Sequence, residues 1–368
     1  MQRSLGFCGR VVQVGANSPV MSDYRFTPAS DVPEALRARR VDGGFRNPVR
    51  HEDRTWWDVL RWKATTRGAA WPPREHTPPQ DAPAAPERGV TVTWVGHATF
   101  LVRTPGHTLL IDPVWSERAG PFGVFGPRRT RSAALGFETL PHIDAVLLSH
   151  DHYDHCDLRT LRRLARAHPA ARLLTPLGHE DLARRAGFSA ARHTVQYWWD
   201  RSETAGLRIT ATPARHWGNR LSGRRNQRLW GGWYIEAADG ARVFFAGDTA
   251  WDATMFAGIR ERLGAPDLAL VPIGAYAPRW FMREQHCDPK EAVAIARAVG
   301  ARRAMGAHWG TFRLTDEPMD EPPRLLAQAR REAGMAEDWF TAPPPGATVW
   351  VGAGADDDAA SRGTASPR

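Results

Sequence analysis

Six consecutive residues, His150-Asp151-His152-Tyr153-Asp154-His155, constrain this chain more than any other feature. They follow directly on IDAVLLS (143–149), a run that reads as a buried strand. Polar groups crowded at such a strand's end stand where a sheet edge opens to solvent. Along an extended segment His150 and His152 point the same way, and a tight turn into the next helix would aim Asp154 and His155 at a neighbouring point. Imidazole and carboxylate are ligands zinc takes, while structural zinc sites rarely lack Cys altogether. Two adjacent groups of ligands imply two metal ions sharing one water, about 3.5–4 Å apart in such sites.

Two ions need more than these four ligands, and three further residues end predicted strands. His216 follows RITATPAR, Asp248 follows VFFAG, and His308 follows ARRAMGA. Strand ends converge along one edge of a sheet, where side chains from distant segments can meet. The expected division places His150, His152 and His216 on one zinc and Asp154, His155 and His308 on the other. Asp248 has two carboxylate oxygens with which to bridge them.

Around this constellation the pattern is a β-meander, then alternating strands and helices. Strands are predicted at 91–95, 99–103, 108–111, 143–149, 171–174, 207–212, 230–236, 242–247 and 267–271. Helices are predicted at 158–167, 178–186, 253–262, 288–298 and 321–333; the helix from 288 opens with Asp288, Pro289 and Glu291, an N-cap, a first-turn proline and a capping-box acid. Two sheets face to face with helices outside would satisfy this order. Residues 1–89 read as a leader and a wrapping arm rich in Pro, Arg and Trp, residues 90–352 as the hydrolase domain, and residues 353–368 as a disordered tail. Within the arm, TWWDVLRWKAT forms a short helix whose stripe of Trp56, Trp57, Leu60 and Trp62 is expected to dock on the body.

The ligand order, together with WVGHATFLV (94–102), DPVWSERAGP (112–121), GPRR (126–129), SHDHYDH (149–155), ARHW (214–217), LWGGW (229–233), GAYAPRWFM (274–282), QHCDPKEAV (285–293) and AHWGTF (307–312), resembles the metallo-β-lactamase superfamily. Within it the chain resembles the group of phospholipases D that hydrolyse N-acyl-phosphatidylethanolamine, over most of its length from about Gly43 to Pro323. The resemblance implies an α/β fold, the αββα four-layer sandwich, with two Zn2+ per chain and a bridging hydroxide that attacks a phosphodiester. It gives Asp154 a catalytic as well as a ligating role. It places Asp112 behind the metals as the acid orienting a zinc-bound His, and His286 near the scissile phosphate. His97 is expected nearby as a hydrogen-bonding His. One departure is Asp151, where the family usually has Asn. Substrate contacts are expected from Trp115, Arg128, Arg129, Trp217 and Tyr276.

Other classes meet obstacles. A net charge of +9 points towards anionic partners, but only Lys63 and Lys290 are lysines, and so uniform a preference for Arg looks like a GC-rich genome. A nuclease would use the same metals, yet no inserted domain offers to hold a strand, so nucleic acid is disfavoured. A di-iron redox protein would carry an acid where His152 stands and a flavin domain. A lactonase or other carbon-ester hydrolase needs nearly the same residues and stays open. Cys8, Cys156 and Cys287 are odd in number and widely spaced, which fits no disulfide framework; Cys156 reads as buried filler. Arg10 interrupts any signal-peptide core, and Met21 offers an alternative start. The expected location is the cytoplasm, with peripheral contact at an anionic inner membrane face and a homodimer both left open.

Overall fold

The computed structural model describes residues 31–49, 53–75, 78–221 and 223–352. The leader 1–20, Met21, Cys8 and the tail 353–368 lie outside the described residues. The first elements are a hairpin of β1 (Arg39–Val41) and β2 (Gly44–Arg46), then α1 (Trp56–Thr65). Next comes an antiparallel meander of β3 (Val90–Gly96), β4 (Thr99–Thr104) and β5 (His107–Ile111). To it β6 (Ala145–Leu147), β7 (Arg172–Pro176) and β8 (His193–Gln196) add in parallel, with α2 (Leu158–Ala167) and α3 (Glu180–Ala186) in the crossovers.

The second sheet repeats the plan. Strands β9 (Arg201–Thr204), β10 (Leu207–Thr212), β11 (Gly232–Glu236) and β12 (Arg242–Phe245) are antiparallel. Strands β13 (Leu268–Pro272), β14 (Arg303–Ala307) and β15 (Phe340–Thr341) continue in parallel. Between them run α4 (Ala253–Leu263), α5 (Arg279–Met282), α6 (Pro289–Ala298) and α7 (Glu321–Glu332), and β16 (Thr348–Val351) returns to β3. Each sheet has seven strands, three antiparallel pairings followed by three parallel ones. No sequence repeat announces this: the same pairing logic is built from different residues.

Alternation along the strands explains the layers. In β4 and β5, Phe100, Val102, Leu109 and Ile111 join a core shared with Ile209, Trp233, Ile235 and Phe245 of the other sheet. Their neighbours Leu101 and Leu110 face Leu161, Leu164 and Leu182 of α2 and α3. Because successive side chains point to opposite faces, a strand buried on both faces must be apolar throughout. On the far side Phe256, Ile259, Ile295, Val299 and Leu326 cover the second sheet from α4, α6 and α7. The result is the αββα sandwich.

Three differences from the sequence reading have physical causes. The strand expected over 143–149 is paired only at Ala145–Leu147, because the chain leaves the ladder to present the histidine turn. Strand Arg201–Thr204 went unread: RSET holds no apolar run, and its pairing with β10 decides its state. The aromatic stripe of α1 docks through Trp62 alone, its ring tilted against Phe281 with centroids 4.8 Å apart, while Trp56 and Trp57 remain 61% and 66% exposed. Among the described residues, no helix is long and apolar enough to cross a membrane.

Candidate metal centre

Within the first sheet the pairing senses make β3, β5 and β6 run the same way; within the second they align β10, β12, β13 and β14. The segments leaving the carboxyl ends of these strands carry His97, Asp112, the histidine turn, His216, Asp248, the 273–286 loop and His308. Ligand atoms of His150, His152, His216 and Asp248 lie within 4.8 Å of one another. So do those of His97, Asp154, His155 and His308, and those of Asp248, His286 and His308. The seven residues expected around two ions are thus brought together, and the groups are adjacent. Turning side chains inward at strand ends strains the backbone. His97, Asp112 and His308 adopt positive φ of 53°, 40° and 62°, a region costly for residues with a Cβ.

His155, His216 and His150 are each held by the far nitrogen. His155 Nδ1–H donates to Asp112 Oδ2 at 2.7 Å, so its Nε2 faces Asp248 Oδ2 at 3.1 Å. His216 Nδ1–H donates to the carbonyl of Gln285 at 2.9 Å, and Nε2 is turned towards His152 Nδ1 at 3.2 Å. His150 Nδ1 meets Ser149 Oγ at 2.9 Å, and its Nε2 lies 2.9 Å from His152 Nδ1. His308 Nε2 is 3.2 Å from Asp154 Oδ2, from Asp248 Oδ2 and from His155 Nε2. Three nitrogens of the first group therefore converge on one point with no hydroxyl or amide donor among them, and Asp248 Oδ1 is buried without a partner. Converging lone pairs and carboxylates fit a cation and little else.

The electrostatics agree. Burial and the neighbouring imidazoles hold His150 far below its ordinary pKa. His216 is also held far below, chiefly by burial. Burial opposes ionisation of Asp154 and Asp248, but His155 and the surrounding histidines keep both well below the carboxylate range. Burial also opposes charge on His155, yet the carboxylates Asp248, Asp154 and Asp112 raise its pKa well above the usual value. By the same competition, led by Asp248, His308 is raised to about 9. A centre that keeps its acids ionised and draws protons onto two imidazoles lacks positive charge, which a metal would supply in exchange for those protons.

The remaining candidates separate. His97 Nε2 lies 2.9 Å from Asp154 Oδ2. His286 is buried with its ring 5.0 Å from His216 and 5.6 Å from His308. Trp217 meets His152 edge-on at 4.6 Å. Tyr276 is buried and its hydroxyl donates to Glu321 at 2.6 Å. Arg129 is 3% exposed and spends Nε and Nη2 on the carbonyls of Ser116 and Val114. Trp115 packs on Phe137 with Nε1–H donating to Leu135 O, and Arg128 is exposed. Cys156 is wholly buried beneath α2, where burial pushes its thiol to about 11. Two residues of the centre went unread in the sequence. Ser149 ties Asp112 to His150, and its place beside the histidine turn was the available signal. Asn47, from the arm, donates to the carbonyl of His216 at 2.8 Å, and nothing local marks it.

The family described as "Beta-lactamase superfamily domain" matches residues 107–309. An N-acyl-phosphatidylethanolamine-hydrolyzing phospholipase D of Caenorhabditis elegans is 41% identical over 252 residues, covering 65% of this chain and 70% of that protein. A mitochondrial protein of the same description from Saccharomyces cerevisiae is 30% identical, covering 67% of this chain and 53% of that one. Among solved structures, an isothiocyanate hydrolase from Delia radicum gut bacteria superposes with a TM-score of 0.54 at 22% identity, over 72% of this chain and all (100%) of that one. That likeness concerns the fold.

Proposed function

The chain belongs to the metallo-β-lactamase superfamily and is a metal-dependent hydrolase, and on that premise we propose that it is a dinuclear zinc phosphodiesterase of phospholipase D type. Its substrate would be N-acyl-phosphatidylethanolamine or a related phosphodiester. The observation carrying this reading is the pair of adjacent ligand groups meeting at Asp248, in a chain 41% identical to a protein described by that activity. His150, His152 and His216 would hold one zinc and Asp154, His155 and His308 the other, with Asp248 between them. When bound, the zinc pair would polarise the phosphoryl group and lower the pKa of a water.

The chain's own residues prepare that chemistry. Asp112 keeps the proton of His155 on Nδ1 and so leaves Nε2 free as a ligand atom. His286 sits beside both groups, and burial lowers its pKa to about 4. At neutral pH it is therefore an uncharged ring, suited to donating a hydrogen bond to a phosphoryl oxygen rather than delivering a proton as imidazolium. Trp217 packs edge-on against His152.

The test is metal content, followed on the same sample by turnover of bis(p-nitrophenyl) phosphate and N-acyl-phosphatidylethanolamine, with and without chelator. Two zinc per chain and chelator-sensitive release of the N-acylethanolamine are expected. Two zinc with cleavage of the small diester alone would remove the lipid substrate. Absence of metal-dependent turnover after reconstitution would remove the reading entirely.

A further inference from the structure

Two buried arginines are unused by the reading above, and both lie on the segment that follows His216. Arg220 is 6% exposed, and one nitrogen, Nη1, donates to the carbonyls of Asp151 at 2.8 Å and Cys156 at 2.7 Å. One carbonyl lies inside the histidine turn and the other directly after it. The same guanidinium lies 3.9 Å over the ring of Tyr153, in the middle of that turn. Arg228, 2% exposed, donates from Nη1 to Asp151 Oδ2 at 3.1 Å. Its Nε and Nη2 grip Asp181, in the first turn of α3. Asp151 itself is 2% exposed. Two residues before Arg220 the backbone comes so close that a Cβ on Gly218 would stand 2.8 Å from Asp151 Oδ1.

We propose that Arg220 and Arg228 are positioning residues that fasten the histidine turn to the His216 segment and thereby set the spacing of the ligands these two segments contribute. This rests on the zinc reading above. The turn is irregular backbone, held internally by hydrogen bonds from His155 and Cys156 N–H to the carbonyl of His152. These bonds shape the turn but do not relate it to His216, which comes from the other sheet. Buried carbonyls without partners are costly, so Arg220 fixes the turn against its own segment through two acceptors at once. Arg228 does the same through a charge pair, and its fork on Asp181 keeps it from following Asp151 if the turn moves. Zinc–nitrogen bonds of about 2.0–2.1 Å tolerate displacements of only a few tenths of an ångström. Relative motion of the two segments would therefore be felt first by the group of His150, His152 and His216.

The experiment measures zinc affinity by competition with a chromophoric chelator, and the visible spectrum of the cobalt-substituted protein. The proteins are the parent, Arg220→Met, Arg220→Lys, Asp151→Asn/Arg228→Met and Gly218→Ala. On the scale seen when groups supporting metal ligands are removed, roughly 10–100-fold weaker binding of one of two ions is expected for Arg220→Met. The cobalt bands should shift, and Arg220→Lys should recover part of the loss. The double variant removes the buried pair and leaves only the partly exposed carboxylate of Asp181 without its partner, so it should fold and still bind one ion more weakly. If Arg220→Met fails to fold, Gly218→Ala probes the same joint by wedging it apart with both arginines present, and it should weaken the same ion. Parental affinity and an unshifted spectrum in the folded variants would overturn the inference alone. Failure of the parent to bind zinc would remove the underlying function with it.

Discussion

Asp112→Asn changes one atom and isolates what the buried carboxylate does for the metal centre. Asp112 is fully buried and accepts three hydrogen bonds: Ser149 N–H on Oδ1, and Ser149 Oγ–H and His155 Nδ1–H on Oδ2. In the asparagine the Oδ1 position must stay a carbonyl to keep the Ser149 amide satisfied. The new NH2 then faces His155 Nδ1, where two donors cannot meet. His155 can escape by moving its proton to Nε2, the atom that faces Asp248 and His308, which turns a ligand into a donor. Loss of such supporting contacts costs roughly 10–100-fold in metal affinity, equivalent to about 1.4–2.7 kcal/mol. The assay is zinc titration against a competing chromophoric chelator, with circular dichroism and a thermal melt to certify the fold. The expected result is one weakened ion of two, that of the Asp154, His155 and His308 group, with kcat reduced in parallel. Two ions bound at parental affinity by folded Asp112→Asn would refute the tautomer argument.

Two further predictions concern the scaffold. Phe100 is fully buried between the sheets with its ring 6.0 Å from that of Phe245, so Phe100→Ala should cost about 3–5 kcal/mol in urea unfolding; a loss under 1 kcal/mol would mean the sheets close over the gap. His179 is fully buried, donates from Nδ1 to Pro176 O, and burial lowers its pKa from 6.5 to about 4. Its folded pKa lies below its unfolded one, so the unfolded chain takes up the proton first as pH falls. The stability it supports is whole above about pH 6.5 and is lost progressively down to about pH 4. His179→Gln keeps a donor for Pro176 and should lose about 2 kcal/mol less than the parent between about pH 7 and 5; equal losses in both proteins would contradict the assignment.

What could be read without coordinates was whatever a local pattern encodes. Helix α2 was legible from the spacing of Leu161 and Leu164, and α6 from its capping box, in which Asp288 and Glu291 each accept the other's backbone N–H. The histidine turn and the three downstream candidate ligands were legible because side chains that bind metal are few in kind and each stood at the end of an apolar run. Non-local facts were not. The exposure of Trp56 and Trp57, the strand RSET and the commitment of Arg129 to two carbonyls all depend on which surfaces approach from elsewhere in the chain.

The sequence by itself thus determined the order of elements and the candidate ligands, since periodicity, capping and ligand chemistry act over a few residues. Only the tertiary structure decided how those ligands are held. Asp112 reaches His155 across 43 positions, Asn47 reaches His216 across 169, and Arg228 reaches Asp151 across 77. The physical reason is that each of these polar groups is buried. A buried donor or acceptor must find its partner wherever the packing of the two sheets brings one, whatever the distance along the chain.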